Sequence, residues 1–474
     1  PGLEATVRME GDTFEMEDQR NWTDASYKTY CTPLRLPFPV EVRAGTVIEQ
    51  SVTLTLRGAM PAGASRPVGA DAVRAVKIAA GPPVPLPRIG LGMASHGRPL
   101  SERERGRLRR LRMAHLRVDL ALAEPGWRDR LRLASEEAAA LGTRLEMALI
   151  LSDAAAELEA LKAELARWRP PVAAWLVFHA QEPCTEGEWV RLARAQLAAY
   201  GEGIPLTSGT NAYFAELNRG RLPLDLLDQV CYSINPQVHA FDDASLVETL
   251  MAQAETVKSA RRLCGEKPIA ISPITLKPRF NPNATAPDPA PRPDELPPQV
   301  DARQMSLFTA AWTVGSLKYL AQSGAASLTY YETTGWRGVM ETEAGSPLPG
   351  LFRSIPGGVF PVYHVLADVQ EFAGGEVVPT RSDDPLALDA LLLRKGGRAR
   401  LLLANLSPQP RRARFETADL GEAPTVKVLD ETNAERAMRE PEAFCAEPPD
   451  RLTARGGTLE LPLRPHAVAR LDWG

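Results

Sequence analysis

The sequence lacks the features that mark several specialised classes of protein. Its cysteines number five, an odd count, and they form no CxxC or Cys/His cluster, so neither a disulfide framework nor a zinc site is predicted. No apolar run reaches the 18 or so residues that a membrane span needs. The 55 basic and 59 acidic residues nearly cancel, leaving a net charge of −4, which argues against binding to nucleic acid or to an anionic membrane.

The remaining composition is that of an ordinary globular protein. Apolar residues make up 44% and charged residues 24% of 474, which is enough for a large core and typical of two or three domains. No signal peptide pattern occurs at the start. The chain begins at Pro1 rather than at a methionine, so we expect the natural N-terminus to lie upstream. Unpaired cysteines make a reducing cytoplasm the simplest setting.

The two ends of the chain show the alternation of half-buried β-strands. In residues 1–85 it is clearest over 46–56, and the Pro-rich stretch 81–87 closes the region. We therefore predict a partial N-terminal β-domain, part of a β-sandwich. Residues 375–474 contain short alternating stretches separated by Gly, Pro and Asn turns, which predict a C-terminal antiparallel β-domain, also a sandwich.

Residues 86–374 differ, because short apolar runs alternate there with amphipathic stretches. Eight such units predict an α/β fold, the closed (β/α)8 TIM barrel, as the catalytic domain. Neither GxGxxG nor a P-loop follows any run, which disfavours an open nucleotide-binding sheet. The Pro-rich stretch 278–298 is expected to be either a lid at the mouth or a plain surface insertion. The predicted strands are 89–94, 115–120, 144–151, 173–179, 205–209, 230–234, 269–274 and 326–331.

Polar residues at the ends of these strands are the candidates for chemistry, because the βα loops of a barrel meet at one face. Glu182 follows the fourth strand and Glu332 the eighth, and two facing carboxylates can divide acid and base roles. Each glutamate alone is explained as well by an ion-paired rim residue. Interleaved aromatics, Tyr331 and Trp336, favour a sugar or polyol site. Further candidates are His179 and His239 for catalysis, and Arg117, Asp119, Asn211, Asn235 and Lys277 for binding.

Metal and nucleophile chemistry are disfavoured. Amidohydrolase-like barrels carry HxH on their first strand, whereas the first strand here ends in MASH, with His96 alone. No GxSxG elbow occurs, so a serine nucleophile is unsupported. Cys184 is better explained as a small buried apolar residue than as a nucleophile. We therefore predict no cofactor and no metal.

The segment 16–39 concentrates six charged or amide residues around Trp22. Such groups must be solvated or joined in a network, because their burial is costly. Two explanations stay open. The segment forms an ion-paired cluster that clamps the β-region to the barrel, or Arg20 or Asn21 lines the mouth of the barrel and binds substrate.

Five blocks of sequence carry a resemblance to a known family. EDQRNWTDASYKTYCTPL, WLVFHAQEP, SINPQVHAFDD, ISPITLKPRFNPNAT and YYETTGWRG together resemble the D-apionate lactonases, which open D-apionolactone in the bacterial catabolism of apiose. The resemblance covers nearly the whole chain. It implies a glycoside-hydrolase-like build, with β-rich regions on both sides of a TIM barrel. The N-terminal β-region is short for the family, as though much of it were absent.

The resemblance implies hydrolysis of a sugar lactone. The site assignment rests instead on barrel geometry, which predicts Glu182 and Glu332 as acid and base in either order and His179 or His239 as the group that stabilises the oxyanion. The alternative is a retaining glycoside hydrolase that uses the same glutamates. In the commonest glycosidase barrels the carboxylates follow strands four and seven, and asparagine precedes the first. Here Gln181 precedes Glu182 and the second carboxylate follows strand eight, which weakens the alternative. A non-catalytic carbohydrate-binding protein is the third class, and the oligomeric state is left open.

Overall fold

The computed structural model describes residues 3–37, 39–58, 73–284, 292–417, 420–421 and 423–474. Its N-terminal part consists of two antiparallel strand pairs, β1 with β4 and β2 with β3. A 3-10 turn at Gln19–Trp22 follows β2 and is capped by Asp18, whose side chain accepts the N–H of Arg20. The bounds are β1 (Leu3–Glu10), β2 (Glu15–Asp18), β3 (Tyr27–Tyr30) and β4 (Ser51–Gly58), so the strand predicted at 46–56 begins later than expected.

Two strands lie between this part and the barrel, β5 (Val73–Ile78) and β6 (Val84–Pro85). Neither pairs with β1 to β4. Strand β5 pairs instead with residues 380–382 and 411–416, and β6 pairs with residues 376–377. Our sequence-based division placed residues 1–85 in one N-terminal region, yet these two strands join the C-terminal sheets. Alternation identifies a strand but carries no information about its partner.

A closed barrel of eight parallel strands forms the centre of the molecule and confirms the predicted fold class. Its strands are β7 (Arg88–Gly92), β8 (His115–Ala121), β9 (Arg144–Leu151), β10 (Val172–His179), β11 (Leu206–Tyr213), β12 (Gln229–Ile234), β13 (Ile269–Ile274) and β14 (Ser327–Glu332). Its helices are α1 (Glu102–Arg110), α2 (Trp127–Leu141), α3 (Ala154–Trp168), α4 (Gly187–Leu197), α5 (Phe214–Arg219), α6 (Asp243–Cys264), α7 (Leu307–Gln322) and α8 (Pro361–Gln370).

Local sequence explains where several helices begin and end. Ser101 and Glu104 form a capping box at the start of α1, and Gly142 ends α2 in the left-handed region at φ 66°. Inside the barrel, a cluster of mostly small buried side chains includes Ala148, Leu176 and Phe178. Because side chains alternate along a strand, the neighbours of these residues face the surrounding helices.

In the described residues from 375 to the end, nine strands and two short helices form the C-terminal part. Two sheets face each other across a buried apolar layer that includes Val76 of β5, Leu401 and Phe415. One sheet has seven strands and ends with β6; the other has four and contains β5, which runs parallel to one neighbour. The elements are β15 (Glu376–Val378), β16 (Thr380–Ser382), β17 (Leu388–Lys395), β18 (Arg398–Asn405), β19 (Arg411–Glu416), β20 (Thr425–Leu429), α9 (Ala434–Arg439), α10 (Pro441–Ala446), β21 (Asp450–Arg451), β22 (Thr458–Leu463) and β23 (Val468–Trp473).

Helix α7 of the barrel packs against the C-terminal sheet. Lys318 of α7 donates to Asp389 of β17 at 2.6 Å, and both side chains are buried. A buried ion pair of this kind fixes the relative position of the two elements, because neither charge is tolerated alone. Within the described residues, no helix is long and apolar enough to cross a bilayer.

Candidate active site

A network of charged and amide side chains fills the barrel below its C-terminal mouth. Arg117 of β8 is fully buried and donates through one nitrogen to Asp119 at 2.7 Å and to Asn211 at 2.8 Å. Arg279, which follows β13, donates to the same Asn211 side chain at 3.0 Å. Burial opposes charge on Asp119, but the guanidinium groups of Arg117 and Arg279 outweigh it and hold its pKa well below the usual range. The structure therefore brings together three of the predicted binding residues.

A second polar layer lies beneath this network. Arg117 also donates to the backbone oxygen of Ser272 at 2.6 Å and to its hydroxyl at 3.0 Å. That hydroxyl bonds to Glu146 of β9 and, at 2.8 Å, to Thr329 of β14. His115 bonds to Thr329 at 2.7 Å, and burial lowers the pKa of this histidine. The layer holds Arg117 from below, so its guanidinium has little freedom to move.

An irregularity in β14 brings Glu332 to the mouth. The strand register shifts between Tyr330 and Glu332, and Tyr331 lies in the left-handed region at φ 46°. Both tyrosines therefore point outward to α7, where Tyr331 bonds to Thr313 at 2.8 Å. Glu332 instead lies over Gly92, its Cγ 3.6 Å from the position that a Cβ on this glycine would occupy. The expected substrate contact of Tyr331 is thus replaced by a buried structural one.

The Glu332 carboxylate is held by two partners at the rim. One oxygen accepts the backbone N–H of Ser95 at 2.9 Å, and the other accepts from Arg337. Its side chain is 13% exposed, so the group is mostly shielded from solvent. A carboxylate fixed in this way can accept a proton or a hydroxyl hydrogen bond at a defined position.

A pocket of about 410 Å³ opens beside the two groups that hold this carboxylate, Ser95 and Arg337, and Glu332 itself is not in its wall. The pocket is formed by the loops that follow β7, β13 and β14, and this volume is sufficient for one small molecule. Trp336 contributes an aromatic wall, and its indole N–H is directed to Ser346 at 2.8 Å. Polar and charged groups in the wall are Ser95, His96, Arg98, Arg279, Gln299, Thr334, Arg337 and Glu341.

His96 is positioned by both of its ring nitrogens. Nδ1 accepts the backbone N–H of Arg98 at 3.1 Å, so Nε2 carries the hydrogen and donates to Thr334 at 2.8 Å. Burial, together with the charge of Arg98, lowers the pKa of His96. The ring is therefore a neutral donor in the pocket wall.

Glu182 and His179 lie at the end of β10 but face a different part of the molecule. Phe178 occupies the barrel interior, so alternation directs His179 outward, where its ring stacks on Trp189 of α4 at 4.5 Å. Glu182 accepts from the Trp189 indole at 2.6 Å and from the N–H of Glu186 at 2.8 Å. Among the described residues, no hydrogen bond or ion pair connects Glu182 with Glu332.

His239 and the segment 16–39 meet on the flank of the barrel. His239 bonds to Asp24, and its ring lies 6.0 Å from that of Trp22 in an edge-on contact. Asn21 accepts from Asn218 of α5 at 3.1 Å, and Arg20 pairs with Asp18 of its own turn. These contacts correspond to the clamp explanation; neither Arg20 nor Asn21 is in the wall of the mouth pocket.

The other predicted residues support loops at the mouth. The Asn235 side chain accepts the N–H of Gln237 at 3.0 Å and is buried. The backbone oxygen of Lys277 accepts from Thr275 at 2.6 Å. In the Pro-rich stretch predicted as a lid or insertion, residues 285–291 lie outside the described residues, while Pro297 lines the pocket. In the described part of the chain, no three His, Cys, Asp or Glu side chains are grouped as metal ligands.

Several residues of the pocket, and Glu146 of the polar layer inside the barrel, were not among the predicted site residues. His96 and Arg279 follow barrel strands, and this position was the available signal for both. Arg337 and Gln299 lie deeper in long loops and carry no such signal. Glu146 is in the interior of β9, where its acidic side chain breaks an otherwise apolar run.

The fold and the polar mouth define a class of barrel proteins built like glycoside hydrolases. A family 30 endoxylanase from Clostridium papyrosolvens superposes with a TM-score of 0.55 at 10% identity, covering 85% of this chain and 100% of the other. A family 51 α-L-arabinofuranosidase from Bifidobacterium longum gives 0.57 at 12% identity, covering 85% and 99%. At these identities the likeness concerns the fold alone.

The chain belongs to the D-apionate lactonase family. Residues 89–374 match its TIM barrel domain, residues 1–59 its N-terminal domain and residues 385–471 its C-terminal immunoglobulin-like domain. A protein of Brucella anthropi named D-apionate lactonase is 30% identical over 407 residues. The match includes 82% of this chain, and this chain spans 64% of the length of that relative.

Proposed function

We propose that the protein hydrolyses the ester bond of a sugar lactone, and that D-apionolactone is its substrate. The family and the named relative support the reaction class. The single observation that carries the proposal is the fixed carboxylate of Glu332, which is not itself in the wall but is bound by residues that line a pocket sized for one small molecule. Two of the groups that hold it, Ser95 and Arg337, are themselves in the pocket wall.

Lactone hydrolysis needs a base for the attacking water and a proton for the ring oxygen that leaves. In this proposal Glu332 accepts a proton from water as the water oxygen bonds to the lactone carbonyl carbon. The ring C–O bond then breaks, and the same proton passes from Glu332 to the departing oxygen, which becomes a hydroxyl. The Arg337 guanidinium and the Thr334 hydroxyl, which accepts from His96 and keeps its own hydrogen to donate, stabilise the negative charge that develops on the carbonyl oxygen.

The paired-glutamate hypothesis is supported more strongly for Glu332 than for Glu182. Both oxygens of Glu182 accept hydrogen bonds from α4 and the residues that lead into it. Neither Glu182 nor the groups that hold it are in the wall of the mouth pocket, whereas both groups that hold Glu332 are. The same contacts weigh against a retaining glycosidase, which requires two carboxyl groups about 5–5.5 Å apart.

Glutamine variants measured by a pH-drop assay test these roles. The assay uses the purified protein, a panel of aldonolactones that includes D-apionolactone, and aryl glycosides. Glu332→Gln is expected to lower kcat by at least about a hundredfold, because a positioned base typically contributes that much. Glu182→Gln is expected to lower it by less than about tenfold. Glu188→Gln, at an exposed position of α4, is the matched control and is expected to resemble wild type.

Two results would contradict the proposal. Wild-type turnover in Glu332→Gln would remove this residue as the base. Cleavage of aryl glycosides without hydrolysis of any lactone would favour the glycosidase alternative instead.

A further inference from the structure

We infer that the mouth pocket is a carboxylate-binding site, in which Arg279 receives the acid group of a small polyhydroxylated acid. Such an acid is the ring-opened form of the lactone in the proposed function, and the inference rests on that function for the identity of its ligand. The site itself rests on the contacts of Arg279 and on the charges of the pocket wall.

The guanidinium of Arg279 is incompletely paired. Its Nη2 donates to the side chain of Asn211 at 3.0 Å and to the backbone oxygen of the same residue. Nη1 lies 3.8 Å from Asp119 Oδ1, which is too far for a hydrogen bond, while Arg117 occupies that oxygen at 2.7 Å. Among the described residues, the buried Nε of Arg279 also has no acceptor. The Asp119 carboxylate therefore lies near two guanidinium groups, and it accepts a hydrogen bond from Arg117 but not from Arg279.

The charged residues of the pocket wall favour an anion. They are three arginines, Arg98, Arg279 and Arg337, and one glutamate, Glu341. Glu332 neutralises Arg337. Glu341 is buried and its oxygens accept from the N–H of its neighbour Thr342 and from the Ser354 hydroxyl, so it does not reach Arg279 by a hydrogen bond. Positive charge thus remains where Arg279 meets the cavity.

The pKa of Arg279 agrees with this shortage of negative charge. Burial and the repulsion of Arg117 lower the pKa to about 10, so the guanidinium is still charged at neutral pH but poorly compensated. A ligand carboxylate would supply the missing charge, and arginine is well suited to a planar oxygen pair.

The remainder of the wall fits a polyhydroxylated carbon chain better than a bare anion. Trp336 adds an aromatic surface for C–H groups, and Gln299 and Thr334 offer hydrogen-bonding groups to hydroxyls. Opening a neutral lactone creates a carboxylate in this pocket. We therefore expect the acid to bind more tightly than neutral analogues of the same size, and to inhibit turnover.

Isothermal titration calorimetry of the purified protein tests the site without requiring turnover. The probes are D-erythronate and D-ribonate, the matched neutral polyols erythritol and ribitol, and inorganic phosphate. We expect each acid to bind about tenfold to a hundredfold more tightly than its polyol, the range of a charge-assisted hydrogen bond. Arg279→Gln is expected to remove this preference. Arg353→Gln, at an exposed site on the loop after β14, is expected to keep it.

Any one of three other results would overturn the inference. Equal affinities for acid and polyol in the wild-type protein would do so without any variant, which matters if Arg279→Gln does not fold. Phosphate binding as tight as that of the acids would indicate a general anion site. A preference that survives in Arg279→Gln would place the carboxylate elsewhere.

The two proposals can fail separately. Acid binding without lactone hydrolysis would contradict the proposed function and leave the site standing. Lactone hydrolysis without selective acid binding would contradict the inferred carboxylate site and leave the proposed function standing.

Discussion

His364 couples the stability of the protein to pH through a buried, uncharged imidazole. The residue lies in α8 and is 5% exposed. Nε2 is 3.0 Å from the backbone oxygen of Ala437, and since a carbonyl only accepts, Nε2 carries the hydrogen. Nδ1 lies 3.8 Å from the thiol of Cys445, which can donate to it. Each nitrogen is thus matched to the neutral ring, and burial lowers the pKa of His364 from 6.5 to about 4.

The size of the effect follows from the difference between folded and unfolded chains. An unfolded histidine takes up its proton near pH 6.5, whereas the folded protein resists protonation of His364 down to about pH 4. Between these values the unfolded state binds about one more proton. The contribution of His364 to the free energy of unfolding is therefore fully present above pH 6.5. It is lost as the pH falls through this window, by roughly 1.4 kcal/mol per pH unit.

Urea denaturation of wild type and His364→Gln, from pH 7.5 to pH 4.5 at constant ionic strength, measures this contribution. The variant is expected to lose stability less steeply, so the difference in free energy of unfolding between the two proteins narrows by roughly 3 kcal/mol over the window. Circular dichroism at pH 7.5 confirms that both are folded at the start. If the free energies of unfolding of the two proteins fell in parallel with decreasing pH, the assignment of this effect to His364 would be refuted.

Three other perturbations have defined outcomes. Lys318→Met is expected to lower the free energy of unfolding, measured by urea denaturation, by about 3–5 kcal/mol, because it leaves Asp389 buried without its partner. Adding Asp389→Leu should recover most of this loss. An unchanged free energy of unfolding in the single variant would contradict the prediction. Gly90→Ala places a methyl group 2.3 Å from the His115 ring and should lower stability by about 1–3 kcal/mol, seen as a reduced Tm. Dialysis against EDTA should leave lactone turnover unchanged, because the proposed base is a carboxylate, and a loss restored by a divalent ion would be inconsistent with it.

The barrel could be predicted well because its strands are short apolar runs bounded by turn residues. Runs such as 144–151 and 269–274 coincide with β9 and β13. The partners of β5 could not be predicted in the same way. Its alternating pattern over Val73–Ile78 is satisfied equally by any sheet that buries one face. Only the tertiary structure shows that those partners are C-terminal.

The site could be predicted where strands are regular. Arg117 and Asp119 are two apart in β8 and both reach the network, as alternation requires. The same rule excludes His179 only once the structure shows that Phe178 before it is an interior residue, because the apolar run 173–178 does not indicate which face is inside. A register shift that no local pattern indicates directs Glu332 to the barrel mouth and Tyr331 outward to α7, the reverse of what regular alternation would give. Arg20 pairs with Asp18 of its own turn, whereas the contacts of Asn21 and Trp22 with the barrel depend on how that turn packs and could not be predicted from the sequence.

The pairing of β5 with β19 also bears on how this molecule is made and how it can be cut. Val76 lies opposite Phe415, so the strand leaves the ribosome long before its neighbour exists. Until then its edge is open, and any folding of the intervening barrel that precedes synthesis of β19 takes place with that edge unsatisfied. A protein shortened after residue 374 would keep this strand without its sheet and would be prone to aggregate. Separating the barrel cleanly therefore requires removing residues from both of its ends.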